Sequence, residues 1–600
     1  MTTTHTPPLH HGAVGNGRIL ALVAPDTSVD WLCLPRFDSP SFFGRLLDAD
    51  KGGALWMESN GKRVTGQLSY VPNTNVLQNI VAVQDGTVEV VDFAPWTPRG
   101  LEGAAPLEFV RLIRPRSGQP RISLHVDPRP DYARAQPLMM DLGDAIRVEG
   151  AAAPVHIFSN APIPYLLGGR SFELREPIYI VLTYGVRNER PTRSSVEQDL
   201  SLTVDMWRAW AKTCALPSFA SEAVLRSALC LKLHVSADTG AIIAAATTSI
   251  PEAMGTQRTW DYRYCWLRDA AFVVEALRRL SHLREGERFM QFLRDVAQAG
   301  PLQPVYAVDG GRALAETMLP HLAGYGGNGF VRIGNQAHEQ KQHDLQGELM
   351  LCLETLLTDP RLIHDAPHTY LPLIERLVGE AMTQAELPDT GIWEFRTILK
   401  HYTFSQAMCF VAADRGAGLA AHLGRPDLAQ RYAQWAAVQR NKVLTRGYNA
   451  QLGFFTQALD GKHPDASNLL LPTLGLLEPK DPRFISTVEA YGRDLTSQGL
   501  MLRYRNEDDF GDTTSAFTMC SFWWAEALAH MGRLDEAVEV FQRLMRFANP
   551  VGLFSEDVDP HTGQLLGNFP QAYTHVGLIH AATTIAAYQD LAQGNLRAWR

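Results

Sequence analysis

The chain has 600 residues, 46% hydrophobic and 20% charged, a globular balance that excludes long disorder. Its net charge is −9, and no Lys/Arg block interleaved with aromatics is present, which argues against nucleic acid as a partner. No run of about 18 apolar residues occurs, so no membrane partner is expected.

The opening stretch MTTTHTPPLHHG lacks a basic and then apolar leader pattern. Seven cysteines are scattered without a C-x-x-C pair. Both features point to a reducing cytoplasm, with neither a disulfide framework nor a zinc site. His10 and His11 would face opposite ways on an extended segment, and a mobile or substrate-side loop is expected there rather than a metal.

From Gly12 to about Arg190 the pattern is β. NIVAVQDGTVEVVDF is two alternating runs around Asp85-Gly86, which predicts a hairpin. LEFVRLIRP, RISLHVDP and PIYIVLTYG add β-branched runs between turn residues, the pattern of an antiparallel β-sandwich. After Pro191 the period changes to 3.6, beginning with the linker helix in SSVEQDLSLTVDMWRAWAK. Roughly twelve further helical segments follow. Their connecting loops vary too much for a solenoid, and a closed toroid with long functional loops at one mouth fits better. The expected division is residues 1–192 as the sandwich, 193–217 as the linker helix and 218–600 as the helical domain.

Chemistry concentrates in the loops. QRTWDYRYCWLRDAAF places Trp260, Asp261, Tyr262, Arg263, Trp266, Arg268 and Asp269 before an apolar helix. Aromatic faces with Arg and Asp between them suit a sugar, with its apolar C–H faces and paired hydroxyls. Individually, Asp269 could cap the helix and Arg263 could pair with Asp261 on a surface. In GNQAHEQKQHDLQGEL, Gln340, Asp344 and Glu348 recur at i, i+4 and i+8, so they are predicted to share one helix face.

TGIWEFRTILKHYTF opens on a turn at Thr390 and Gly391 and sets Glu394 between Trp393 and Phe395. An apolar wall would hold that carboxyl protonated and ready to donate to a leaving group; alternatively, Glu394 turns outward and pairs with Arg396. NPVGLFSEDVDPHTGQLL carries Glu556, Asp557 and Asp559, where a polar surround would leave one acid ionised as a base; the competing reading is a charged turn. A raised acid, an ionised base and stacking aromatics together suggest a glycosidase, with no metal or cofactor required.

Several long segments in order, GNGRILALVAPDTSVDWLCLPRFDSPSFFGRLLD, QRTWDYRYCWLRDA, GIWEFR, FTMCSFWWAEAL and SEDVDPHTGQLLGNFPQAYTH, resemble glycoside hydrolase family 15, the bacterial glucoamylase and trehalase-like enzymes. The resemblance implies an N-terminal β-sandwich followed by an (α/α)6 barrel, and exo-acting, inverting hydrolysis of α-glucosidic bonds that releases β-glucose. It puts the general acid on Glu394 and the general base on Glu556, with Arg268 and Asp269 gripping the terminal glucose. Trp260, Tyr262, Trp266 and Trp393 would line the pocket, Gln340 and Asp344 would contribute, and Trp31, Arg36 and Asp38 would reach toward it. The chain departs at Gln346, where many relatives carry tyrosine, so leaving-group contacts are not carried over. The substrate expected is an α-glucan or α-gluco-oligosaccharide. The alternatives are a trehalase or isomaltose-type α-1,6-glucosidase on the same fold, and, from other classes, a glycoside phosphorylase or a non-catalytic sugar-binding protein. Oligomeric state is not legible.

Overall fold

The structure is a computed structural model that describes residues 8–98, 103–187, 189–362 and 366–594. Its first part is an antiparallel network of 14 strands. The main path begins with β1 (Gly12–Gly15), β2 (Leu20–Val23), β3 (Val29–Cys33) and β4 (Ala54–Ser59). Later come β5 (Gly66–Tyr70), β6 (Leu77–Phe93) and β7 (Glu108–Asp127). The last are β8 (Leu138–Asp141), β9 (Ala145–Glu149), β10 (Val155–Ser159) and β11 (Ile178–Tyr184). One end of β7 pairs with β4 and the other with β6 and β11. The expected sandwich is therefore a single hydrogen-bonded network whose two halves share a 20-residue strand.

The predicted hairpin at Asp85-Gly86 is not formed. β6 runs straight through those residues for 17 positions, and its register against β7 shifts between Gln84 and Gly86. Asp85 has φ 63°, so the pair makes a bulge that bends the strand rather than reversing it. The histidine expectation also changes: His11 is buried and bonds Asp30 at 2.9 Å, while Asn549 donates to its carbonyl.

Helix α1 (Arg193–Lys212) starts at a capping box, Thr192 with Ser195. Outer helix α2 (Ser221–His234) follows, then inner and outer helices alternate: α3 (Leu267–Arg279), α4 (Arg284–Gln298), α5 (Leu345–Leu357), α6 (Leu371–Gln384), α7 (Thr403–His422) and α8 (Pro426–Arg446). The series ends with the 3-10 segment Ala466–Leu470, α9 (Pro482–Asp494), α10 (Thr518–His530), α11 (Leu534–Met545) and α12 (Ala572–Ala592). Contacts run α3 to α5, α7, the 3-10 segment, α10, α12 and back to α3, closing the inner ring of an (α/α)6 barrel. Burial follows from sequence: α7 and α12 are buried on all sides over their first eleven residues, whereas α8 buries a single stripe. Every inner element starts at the same mouth, so the long loops entering them converge there.

All seven cysteines are unpaired. Among the described residues, no helix is long and apolar enough to cross a membrane.

Candidate active site

At that mouth one cavity is lined by Glu394 and Glu556 together with Trp260, Tyr262, Trp266, Arg268, Asp269, Gln340 and Trp393. A wider groove between sheet and barrel, lined by Arg18, Trp96 and Trp210 among others, holds neither acid.

Glu394 lies in a tight turn. Its own amide donates to the Gly391 carbonyl at 3.2 Å, and the Phe395 amide donates to that of Thr390 at 3.1 Å. Gly391 has φ 67° and Glu394 φ 60°. A positive φ at a non-glycine residue costs on the order of 1–3 kcal/mol and is typical of functional positions. The turn corrects the apolar-wall expectation. Trp393 and Phe395 line the cavity, but Trp393 donates its Nε1 to Asp465 at 2.9 Å and Phe395 stacks on Tyr402 at 5.4 Å. Glu394 Oε1 instead accepts from Trp266 Nε1 at 2.6 Å, Arg268 Nη2 at 3.1 Å and Gln342 Nε2 at 3.1 Å. All three donors meet Oε1, leaving Oε2 without a protein donor among the described residues. Arg396 pairs with Glu316 and not with Glu394.

The predicted polar helix face is also rearranged. α5 begins only at Leu345; Gln340 sits in extended backbone before it and donates to the Glu394 carbonyl at 3.1 Å. Asp344, at 0% exposure, stands behind Arg268, 3.5 Å from Nη1, and does not line the cavity. Asp269 lies in the first turn of α3, 3.3 Å from Arg268 Nε, and burial lifts its carboxyl to about 6.

Glu556 precedes a two-residue strand, 557–558, paired on both sides. Gly567 faces it with φ 69°, and a Cβ there would stand 2.6 Å from Glu556 Oε2, so only glycine fits. The Asn568 amide donates to Glu556 Oε2 at 3.3 Å. The expected polar surround is in fact a burial site. Desolvation first, then the neighbouring Asp557 and Glu252, push the Glu556 carboxyl well above the usual carboxylate range, against the pull of Arg503 and the Tyr262 hydroxyl. Burial likewise takes Asp557 to about 8. Glu556 and Asp557 therefore each oppose the other's ionisation. The Tyr262 hydroxyl, raised by burial, feels Glu556, Glu252 and Glu394, so it lies in the field of both catalytic candidates.

Glu252, Arg258, Arg503, Tyr504 and Phe510 also line the cavity and were missed in the sequence. Glu252 accepts from Trp260 Nε1 at 2.7 Å and pairs with Arg503. Arg258 holds Asp508 at 2.6 Å, and Phe510 meets Trp260 edge to face at 5.0 Å. The LRYRNEDDF stretch mixes Arg, Tyr and acids as the Trp260 loop does, and that likeness was the available signal. Glu252, Glu556 and Asp557 present ligand atoms within 4.8 Å of one another, the one grouping among the described residues compact enough for a cation. Arg503 pairs with Glu252 within it.

Trp31, Arg36 and Asp38 are not among the lining residues. Trp31 is buried and donates to the Ala246 carbonyl at 2.7 Å; Asp38 accepts from the Val308 amide at 2.8 Å, and Arg36 bridges Asp38 and Asp309. They join the N-terminal part to the barrel loops. Arg263 does the same: its pair with Asp261 at 2.6 Å is fully buried, not superficial, and it also reaches the Ser39 carbonyl and Tyr132 hydroxyl at 2.7 Å.

The solved structure of a bacterial glucoamylase complexed with acarbose is similar over 98% of this chain and 96% of its own, with TM-score 0.73 and 13% identity, a likeness of fold. A trehalase of Mycobacterium tuberculosis is 34% identical over 96% of this chain and 89% of its own length. Trehalases of Mycolicibacterium smegmatis and Thermoplasma acidophilum are each 33% identical, covering 98% and 94% of this chain and 93% and 97% of their own. Residues 2–163 match the trehalase-like N-terminal model. Residues 218–583 match the model of glycosyl hydrolases family 15, and with the geometry above this places the chain in that family.

Proposed function

We propose that the protein is a trehalase, hydrolysing the α,α-linked glucose disaccharide by inversion, with Glu394 as general acid and Glu556 as general base. The observation that carries the reading is the common cavity, which both acids line together with Arg268 and a set of aromatics from different loops. Relatives named trehalases span nearly the whole chain, which favours the trehalose alternative over the glucoamylase-like activity expected first.

In this mechanism Glu394 donates its proton to the glycosidic oxygen. Trp266, Arg268 and Gln342 fix Oε1 and leave Oε2 to carry the proton. Glu556 removes a proton from a water that attacks the anomeric carbon from the opposite face, and the C–O bond breaks as the new one forms. Inversion requires the two carboxyls to stand roughly 6.5–9.5 Å apart with the water between. Trp260, Tyr262 and Trp266 offer faces for the sugar, and Arg268 and Asp269 offer donors and acceptors for its hydroxyls.

A panel of trehalose, maltose, maltotriose and isomaltose tests the substrate. Trehalose is expected to be turned over fastest; preference for maltotriose would restore the glucan reading, and inertness toward all four would defeat the α-glucosidase reading. Glu394→Gln and Glu556→Gln should each lower kcat by roughly 10²–10⁴-fold with the fold intact. A strict phosphate requirement with an active Glu556→Gln would instead indicate a phosphorylase.

A further inference from the structure

Arg268 is a single cation among four carboxyls. Its guanidinium lies 3.3 Å from Asp269, 3.5 Å from Asp344 and 3.1 Å from Glu394, and beyond Asp344, in the first turn of α5, lies Glu348. Glu348 and Asp344 are 1% and 0% exposed, and neither oxygen of either side chain has an N–H or O–H donor among the described residues. Spacing i, i+4 sets the two carboxyls side by side. Apart from the 3.5 Å approach of Arg268 to Asp344, these are two neighbouring buried acceptors without a donor, and an unsatisfied buried carboxylate is costly. A proton on one of them converts the clash into a hydrogen bond.

We propose that Glu348 is a positioning residue of this active site: as a neutral carboxylic acid it donates to Asp344, so that Arg268 keeps its fork on Gln342 and on Glu394 Oε1. The surrounding groups are consistent with this. α3 contributes Arg268 and Asp269, α5 contributes Asp344 and Glu348, the loop before α7 contributes Glu394 and Asp389, and α12 contributes the Tyr573 hydroxyl. His343, beside Asp344, is lowered to about 4 by burial, so only Arg268 is cationic. Burial, then Asp344, holds the Glu348 proton well above the usual carboxylate range, and Arg268 only partly opposes them. An ionised Glu348 would add a negative charge behind Asp344, draw Arg268 inward and loosen its bond to Glu394.

The proposal rests on the assignment of Glu394 as the acid, and the experiment separates the two. Glu348→Gln keeps a neutral donor of the same shape, whereas Glu348→Leu has none. On whichever glucoside the substrate panel identifies, the Gln variant should keep kcat within roughly 3-fold of the parent, and the Leu variant should lose roughly 10–100-fold, more in kcat than in KM. The alkaline limb of kcat should lie no lower in the Gln variant than in the parent. Independently of turnover, infrared spectra at neutral pH should show a protonated carboxylic-acid carbonyl band that Glu348→Gln removes. Equal kcat for Gln and Leu variants, a Gln variant as impaired as Leu, or an unchanged carbonyl band would overturn the proposal. Full activity of Glu394→Gln with the band present would overturn the acid assignment instead.

Discussion

Replacing Asp557 by Asn removes one partner of the coupled pair while keeping its shape. Oxygens of Glu556 and Asp557 lie within 4.8 Å of each other. At an effective dielectric of about 20, two unit charges at that distance repel by about 3.5 kcal/mol, equivalent to about 2.5 pH units. Both side chains are buried, so solvent screens little of this. The general base acts only when ionised, and in the parent its ionisation is opposed by burial and then by Asp557. Without that charge the base ionises at lower pH, so the acidic limb of kcat/KM should move down, by up to about 2.5 units. The assay is a kcat/KM profile on the preferred glucoside at constant ionic strength. An unmoved acidic limb, or one displaced to higher pH, would refute the account of the pair.

Trp266→Phe removes the 2.6 Å indole donor on Glu394 Oε1; as Glu394 gives up its proton in the transition state it becomes charged, and a hydrogen bond to a charged group contributes about 1.5–3 kcal/mol, so kcat/KM should fall roughly 10–100-fold with little change in unfolding temperature. Equal activity in the Phe variant would show that this bond does not orient the acid. Arg263→Leu leaves Asp261 buried without its partner at the sheet–barrel junction, and should cost about 3–5 kcal/mol. The check is denaturant unfolding, where an unaltered first transition would contradict that role.

Much of this architecture was legible because periodicity is local and marks each helix in turn; which helices form the inner ring shows only in burial, complete over the first eleven residues of α7 and α12 and confined to a stripe in α8. The two acids were legible as short motifs, and most of the aromatic, Arg and Asp residues of the Trp260 loop do line the cavity. What failed depended on distant partners. Asp85-Gly86 reads as a hairpin until the partner strand supplies Gly118, also at positive φ, opposite the bulge. Gln340 shares its spacing with Asp344, yet the chain is extended there and binds the Glu394 loop. Trp393 and Phe395 flank Glu394 in sequence, but the turn sends their rings to Asp465 and Tyr402, and the real neighbours come from about 50 to 130 positions away. Glu252 and Arg503 carry no motif of their own, and their pairing is visible only in three dimensions.

In the proposed mechanism water attacks directly, opposite the departing sugar, with no covalent intermediate. Proton NMR of the first product anomers from trehalose tests it before mutarotation intervenes. Inversion at one anomeric carbon predicts equal initial amounts of α- and β-glucose, whereas α-glucose alone would contradict it.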